Sequence, residues 1–359
     1  MVNLREAGAS LDFLGFTFRR HEDLSHREVS RSLLLYRPVV YFFLGLVLLS
    51  SCGRYADFTL PPVAGGDPHL TFTFDALPQP VLSPNGGWEA GDVLNPSVVR
   101  AAGSLVNYYS GFDGHTWHTG RATSSDGIHW QRQGLFLSPA AGTWEGSYIA
   151  ANGSALSYQG RVWYWYVAGP KSNPRIGFEG HPVLPLGPYG SWDECGVSDP
   201  YVVRLEPYFY LYYTGLDRGS RQRIGVARSS DGVRWEKLRS NPVLEPGEPG
   251  SFDENGLGEP AVWQSHGFYW MLETGRDIAQ RRSLGLARSV DGVHWHKLAS
   301  VFQGAAAWDS KAICDPSVLV EGDTIRVWFG GGDVASPDEN LHGQIGYATL
   351  RPVSVTLQQ

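Results

Sequence analysis

The chain has 359 residues, of which 42% are hydrophobic and 13% aromatic but only 18% charged, enough apolar material for a large core. A net charge of −7 and the lack of Lys/Arg runs exclude a nucleic-acid-binding surface. The 44 glycines and 23 prolines favour many tight turns over long helices.

In chain order, the first feature is basic and apolar. Arg27, Arg31 and Arg37 precede the run VVYFFLGLVLL (39–49), which ends in Ser50-Ser51-Cys52-Gly53. A basic segment, a short apolar segment and small residues make a secretory signal. The run falls short of the roughly 20 apolar residues a membrane-spanning helix needs. LSSC resembles the bacterial lipobox, whose cysteine is diacylated and becomes the mature N-terminus, so Cys52 is the expected lipid attachment site. PPVAGGDP then reads as a flexible tether. The expected organisation is an N-terminal extension and signal over 1–51, a lipid-anchored tether over 52–70 and one domain over 71–359, held at the bacterial cell envelope.

Beyond the tether a cassette recurs five times, opening GGWEAGDVLNPSVV, GTWEGSYIAANGSAL, GSWDECGVSDPYVV, GSFDENGLGEPAVW and AAWDSKAICDPSVL. Each copy has an aromatic, an acid, a short gap and then one polar residue: Asn95, Asn152, Asp199, Glu259 or Asp315. These stand 57, 47, 60 and 56 residues apart, the period of a solenoid or a propeller. A second run rich in Tyr, Trp and Phe follows each cassette, then a third such as RIGVARS. Three copies continue into SSDGIHW, SSDGVRW or SVDGVHW, and Asp-Gly between strand-like runs marks a hairpin. Short runs with β-branched and aromatic residues favour strands. Each repeat therefore reads as four antiparallel strands, and the chain as an all-β, five-bladed propeller. The last repeat lacks the SxDGxxW hairpin and so a fourth strand, while a strand at about Thr71 to Leu82 has no blade of its own. That N-terminal strand is expected to complete blade five.

In such a ring the first strand of each blade lines the axis, so the five polar residues crowd one end of the channel. The loops between second and third strands rim the same mouth. Carboxyls at this position suit hydrolysis of a glycosidic bond, which needs one protonated carboxyl and one carboxylate. Crowding Asp199, Glu259 and Asp315 raises at least one pKa. Asn95 and Asn152, with His115, Trp117 and His118 on the blade-one rim, are the expected substrate contacts. The cassette aromatics Trp88, Trp144, Trp192, Phe252 and Trp308 either wedge adjacent blades or stack on sugar. Cys195 and Cys314 either pair across the mouth or stand as separate thiols. Neither has metal-ligand spacing, so no metal or other cofactor is expected; no loop of defined spacing supports a channel calcium. The expected state is a monomer with carbohydrate as its partner.

From about Gln79 to Arg351 the chain resembles the five-bladed propeller glycosidases, the group holding glycoside hydrolase families 32, 43, 62, 117 and 130. Number of blades, cassette and the GxATSSDGxxW strand pair carry the resemblance. In family 43 a catalytic Asp opens blade one, an Asp that tunes the acid opens blade three and the general-acid Glu opens blade four. The resemblance thus implies that Asp199, in SDPYVV, tunes and that Glu259, in GEPAVW, is the acid. Blade one departs, because Asn95 stands where the base belongs and an amide takes no proton. Asp315, in the same register in blade five, ranks first as the missing carboxylate, ahead of Asp92 and Glu89. The second reading is a non-catalytic glycan-binding lipoprotein. SxDGxxW also looks like the Asp-box of sialidases, a structural turn, so Asp126, Asp231 and Asp291 are expected to cap hairpins while Trp130, Trp235 and Trp295 pack between blades.

Overall fold

The computed structural model describes residues 55–354. The signal segment and Cys52 lie outside them. The described residues form strands and turns without an α-helix. Blade one comprises Asp92–Ala101, Ser104–Phe112, Trp117–Ser124 and Gln131–Leu137, each antiparallel to the next. Blade two is Ala150–Tyr158, Arg161–Ala168, Arg175–Phe178 and His181–Pro182, its outer strands short where the SxDGxxW hairpin is missing. Blade three is Gly196–Leu205, Tyr208–Leu216, Gln222–Ser229 and Glu236–Leu238; blade four is Leu257–Ser265, Phe268–Arg276, Arg282–Ser289 and His296–Phe302. Blade five has Ala312–Glu321, Thr324–Gly332 and Gln344–Ser354, and its fourth strand is Leu70–Ala76, antiparallel to Gln344–Ser354 with Leu70 opposite Ser354. The N-terminal strand therefore completes blade five.

The first strands of successive blades touch one another in cyclic order, blade five against blade one included. Side-chain hydroxyls stitch them. Ser97 Oγ accepts from Ala155 N–H (2.8 Å), Ser154 Oγ from Val202 N–H (2.9 Å) and Ser317 Oγ from Val98 N–H (2.9 Å).

Packing between blades follows the strand alternation. Trp130, Trp235 and Trp295 lie edge-on to Trp328, Trp165 and Tyr212 of the preceding blade. Asp126, Asp231 and Asp291 each accept two backbone N–H groups within their own turn, so the hairpin reading holds. The cassette aromatics pack chiefly within their own blades. In four blades the ring lies in a notch over glycines on the second and third strands, and in blade two Trp144 lies over Gly177 of the third strand alone. A Cβ on Gly111 or Gly120 would stand 2.4 or 2.1 Å from the Trp88 ring, and Gly215 and Gly225 stand likewise to Trp192, Gly275 and Gly285 to Phe252. In blades one, three, four and five the glycine that follows the aromatic run makes room for that ring.

The cassette acids Glu89, Glu145, Asp193, Asp253 and Asp309 are all buried. In blades one to three a tyrosine hydroxyl of the second strand donates to them: Tyr109 to Glu89 (2.8 Å), Tyr166 to Glu145 and Tyr213 to Asp193 (3.0 Å). Blade four has Glu273 in the tyrosine's place. It is 1% exposed, and neither carboxyl oxygen has a hydrogen-bond partner.

The segment read as a tether is, from Tyr55 on, packed on the domain. Tyr55–Ala56 pairs in parallel with Glu236–Leu238 at the edge of blade three. Leu60 is fully buried against Gly292, and its N–H donates to Asp291 O (2.8 Å). Tyr269 OH donates to Pro61 O (2.6 Å), and a Cβ on Gly66 would lie 2.0 Å from His266 O. Gly and Pro here serve close approach to the outer edges of blades three and four, not flexibility. Leu60→Ala is expected to cost about 2–5 kcal/mol through the cavity it leaves, read by urea denaturation; a loss under about 0.5 kcal/mol would show that this strap lies outside the cooperative unit.

Candidate active site

All five cassette polar residues share one backbone conformation. Asn95, Asn152, Asp199, Glu259 and Asp315 have φ of 49, 48, 47, 52 and 51°. This left-handed region is costly for residues with a Cβ and is found at sites where strain serves a purpose. Each lies at a register shift between the first and second strands, as at Leu94/Ser97 and Cys314/Ser317. Such a bulge re-aims a side chain. The next residue is Pro96, Pro200, Pro260 or Pro316 in four blades, and Gly153 in blade two. Proline has no N–H to lose from the ladder and steers its predecessor away from the right-handed helical region.

The second strands hold the bulges in place. Thr214 Oγ1 of blade three accepts from Glu259 N–H (3.0 Å), Thr274 Oγ1 of blade four from Asp315 N–H (3.2 Å) and Ser110 Oγ of blade one from Asn152 N–H (3.0 Å). Sequence reasoning missed these residues. Their signal is the Ser or Thr before glycine in YYSG, YYTG and LETG.

The bulges bring the five side chains to one floor beneath a cavity of about 710 Å³. Asn152 Nδ2 donates to Asp199 Oδ1 (3.4 Å), and Ser198 Oγ to Asp199 Oδ2 (2.9 Å). Glu259 Oε2 accepts from Asp315 N–H (3.1 Å). Oxygens of Glu259 and Asp315 and the Cys314 sulfur lie within 4.8 Å of one another. Burial, then the Glu259 charge, pushes Asp199 up to about 6. Burial and the charges of Glu259 and Asp199 push Asp315 well above the carboxylate range. Cys314, buried and donating to Asp315 Oδ2 (3.2 Å), is pushed up as well. Cys195 and Cys314 are both free thiols, so the disulfide alternative does not hold.

Blade one supplies no carboxylate. Asp92 is buried with Oδ1 accepting from Gly343 N–H (2.6 Å), and Glu89 is engaged by Tyr109 and by Arg132 Nε (2.7 Å). Neither lines the cavity. Trp117 lines it, half of a stacked pair with Phe112. His115 and His118 do not line it; His118 turns to Ser138 (2.9 Å) and Asp113 (3.2 Å). Strand alternation turns His118 to the face opposite Trp117, and His115 stands in the Asp113 turn ahead of the strand, its N–H donating to Asp113 Oδ1 (2.8 Å).

The rim is formed by loops between second and third strands, as expected, from Leu216 to Gln222, from Arg276 to Arg282 and at Asp338. The last of these crosses the mouth. Glu339 accepts from Tyr148 OH of blade two (2.7 Å) and pairs with Lys171, while Asp338 pairs with Arg276 (3.1 Å) and Arg282 of blade four.

Residues 106–313 match the family described as glycosyl hydrolases family 32 N-terminal domain. The chain belongs to this family. A sucrose-6-phosphate hydrolase of Zymomonas mobilis is 31% identical over 150 residues, 40% of this chain and 28% of that protein. An uncharacterized protein of Mycobacterium tuberculosis is 34% identical over 158 residues, 41% of this chain and 52% of that protein. The chain thus spans about half the length, or less, of these curated relatives. Among solved structures, one from work on the GH130 family of mannoside phosphorylases, with glycoside hydrolases that target β-1,2 mannosidic linkages, superposes with a TM-score of 0.62 at 17% identity, covering 82% of this chain and 96% of that one. Zg3597, a family 117 glycoside hydrolase of Zobellia galactanivorans, gives 0.61 at 17% identity, covering 80% and 92%. The all-β propeller fold of these glycoside-acting proteins is this chain's fold.

Proposed function

We propose that this family 32 member is a glycoside hydrolase working on an oligo- or polysaccharide at the mouth of its channel. The observation that carries this reading is the convergence of Asp199, Glu259 and Asp315, from three blades and on three strained bulges, at the base of a cavity of about 710 Å³. A site that merely joined strand to strand would not need three carboxyls kept close enough to raise one another's pKa.

Their electrostatics suggest a division of labour. Glu259 and Asp315 approach within 4.8 Å, closer than the roughly 6.5–9.5 Å that leaves room for an interposed water. This pair suits direct attack on the sugar better than water activation. Burial and the two neighbouring acids push Asp315 toward its protonated form. Asp315 is then the donor to the leaving oxygen and Glu259 the carboxylate facing the anomeric carbon, the reverse of the order that the family-43 resemblance implies. Asp199 keeps its tuning role. Asn95, Asn152 and Trp117 contact the sugar. Attachment to the cell envelope through lipidated Cys52, and a monomeric state, belong to the same proposal.

The amides of blades one and two favour a second reading, a glycan-binding propeller without turnover. A panel of defined glycans, assayed for binding by calorimetry and for released reducing ends, separates the two. Turnover of any member is the expected outcome. Binding without turnover would sink the hydrolase reading and leave the second standing.

A further inference from the structure

We propose that Arg276 and Arg282 form a binding site for an anionic group on the sugar in the cavity, a carboxylate or a phosphate, and that Asp338 fills this site in the empty protein. The inference rests on the glycan-acting reading and narrows its substrate to anionic sugars. Arg276 and Arg282 face one another across the second and third strands of blade four. Both guanidinium groups meet a single oxygen, Asp338 Oδ1. Two guanidinium groups converging on one oxyanion is how proteins recognise carboxylates and phosphates.

Arg282 is unusual for a structural ion pair. It is only 5% exposed, it lines the cavity, and its Nε has no hydrogen-bond partner. Burial disfavours its charge, and the Asp338 carboxylate is the first of the acidic neighbours that hold it. The acid that completes it is not buried alongside. Asp338 stands on the loop that crosses from blade five, and its side chain is 50% exposed. Breaking a buried pair is costly because it strands a charge. Exchanging one carboxylate for another strands none, so a ligand anion can displace the loop's acid where water cannot.

With Asp338 withdrawn, Lys171, Arg221, Arg276 and Arg282 remain around the cavity, facing Asp199, Glu254, Glu259 and Asp315. Asp315 is pushed well above the carboxylate range, which lowers the negative charge facing these cations. The loop also carries Leu341, fully buried in one apolar cluster with Leu94 and Cys314. Lifting the loop is expected to loosen this cluster around Cys314, which is 1% exposed, and Cys195, partly exposed, provides an internal reference.

The test titrates the protein with glucuronate, galacturonate and mannuronate, with the corresponding hexose 6-phosphates, and with the parent hexoses. At least one anionic sugar is expected to bind tenfold or more tighter than its neutral parent, and the uronate and phosphate arms tell which anion the site prefers. Asp338→Asn, which loosens the loop's hold, is expected to tighten that binding several-fold, while Arg276→Gln removes the preference. The bound anion is also expected to speed iodoacetamide labelling of Cys314 relative to Cys195. Equal binding of anionic and neutral sugars, or an anion affinity indifferent to Asp338→Asn, overturns the anion site and leaves the glycan reading intact. Absence of binding by every sugar here and throughout the glycan panel overturns both.

Discussion

Glu259→Gln is expected to lower turnover of the glycan substrate by at least about 10³-fold, within the range for loss of a reacting carboxyl, with binding changed less than about threefold. The substitution is nearly isosteric. The amide oxygen still accepts from Asp315 N–H, and Glu259 N–H still donates to Thr214 Oγ1, so the bulge that aims the residue survives. What disappears is a charge. Because the Glu259 charge helps to raise both Asp199 and Asp315, the variant is also expected to let Asp199 titrate below its value of about 6. Carboxyl-carbon NMR checks this without any substrate. Wild-type turnover in Glu259→Gln would remove Glu259 from the chemistry. An unmoved Asp199 would mean that burial alone, the larger cause, sets its pKa.

Glu273→Gln is expected to stabilise the protein, and increasingly so toward neutral and mildly alkaline pH. Burial pushes Glu273 up to about 8 from an ordinary 4.5; the Lys297 charge pulls it down and the Asp253 charge raises it. The folded protein thus keeps a proton that the unfolded chain releases earlier. Stability falls as pH rises between about 4.5 and 8 and is level beyond. At about 1.4 kcal/mol per pKa unit the full span amounts to several kcal/mol, with half of that a safer expectation for so buried a group. Below about pH 4.5 variant and parent should differ little from this source, since both carry a neutral side chain. Denaturant midpoints at pH 4, 6 and 8 measure the slope. Parallel profiles for the two proteins would show that Glu273 finds a partner or a water that the unpaired oxygens do not reveal. Glu273→Tyr, which restores the residue of blades one to three at this position, tests whether the hydroxyl-to-acid bond of those blades is transferable to Asp253.

Much of the architecture was legible in the sequence because it repeats. Five cassettes at near-constant spacing define five blades, and the absence of a hairpin in the last one leaves Leu70–Ala76 as the missing strand. The convergence of Asp199, Glu259 and Asp315 follows from the same register. What the repeat hid is local. Strand alternation sends Trp117 into the cavity and His118 away from it, a difference that their shared place on the blade-one rim conceals. The cassette aromatics look like blade wedges or sugar platforms by composition, but the glycines that accommodate them lie in the same repeat. Pro-Pro and Gly-Gly before Leu70 look like a linker by composition, but Leu60 is buried by a neighbour more than two hundred residues away, a contact no local pattern reports. The meeting of Arg282 with Asp338 was hidden for the same reason, since it depends on how far one loop reaches.

The pairing of Leu70–Ala76 with Gln344–Ser354 has a consequence for biogenesis. Ser354 and Asp67 are bonded across 287 positions of chain. At a synthesis rate of about 5–20 residues per second, the earlier strand waits roughly a quarter of a minute to a minute for its partner. During that time LTFTFDA is an open strand edge with apolar side chains, the kind of segment that recruits other chains. The strap has its own delay, since Leu60 has no burial site until blade four has emerged. The residues that leave the ribosome early are thus among the last to find their places, and the nascent chain's survival depends on what shields them meanwhile.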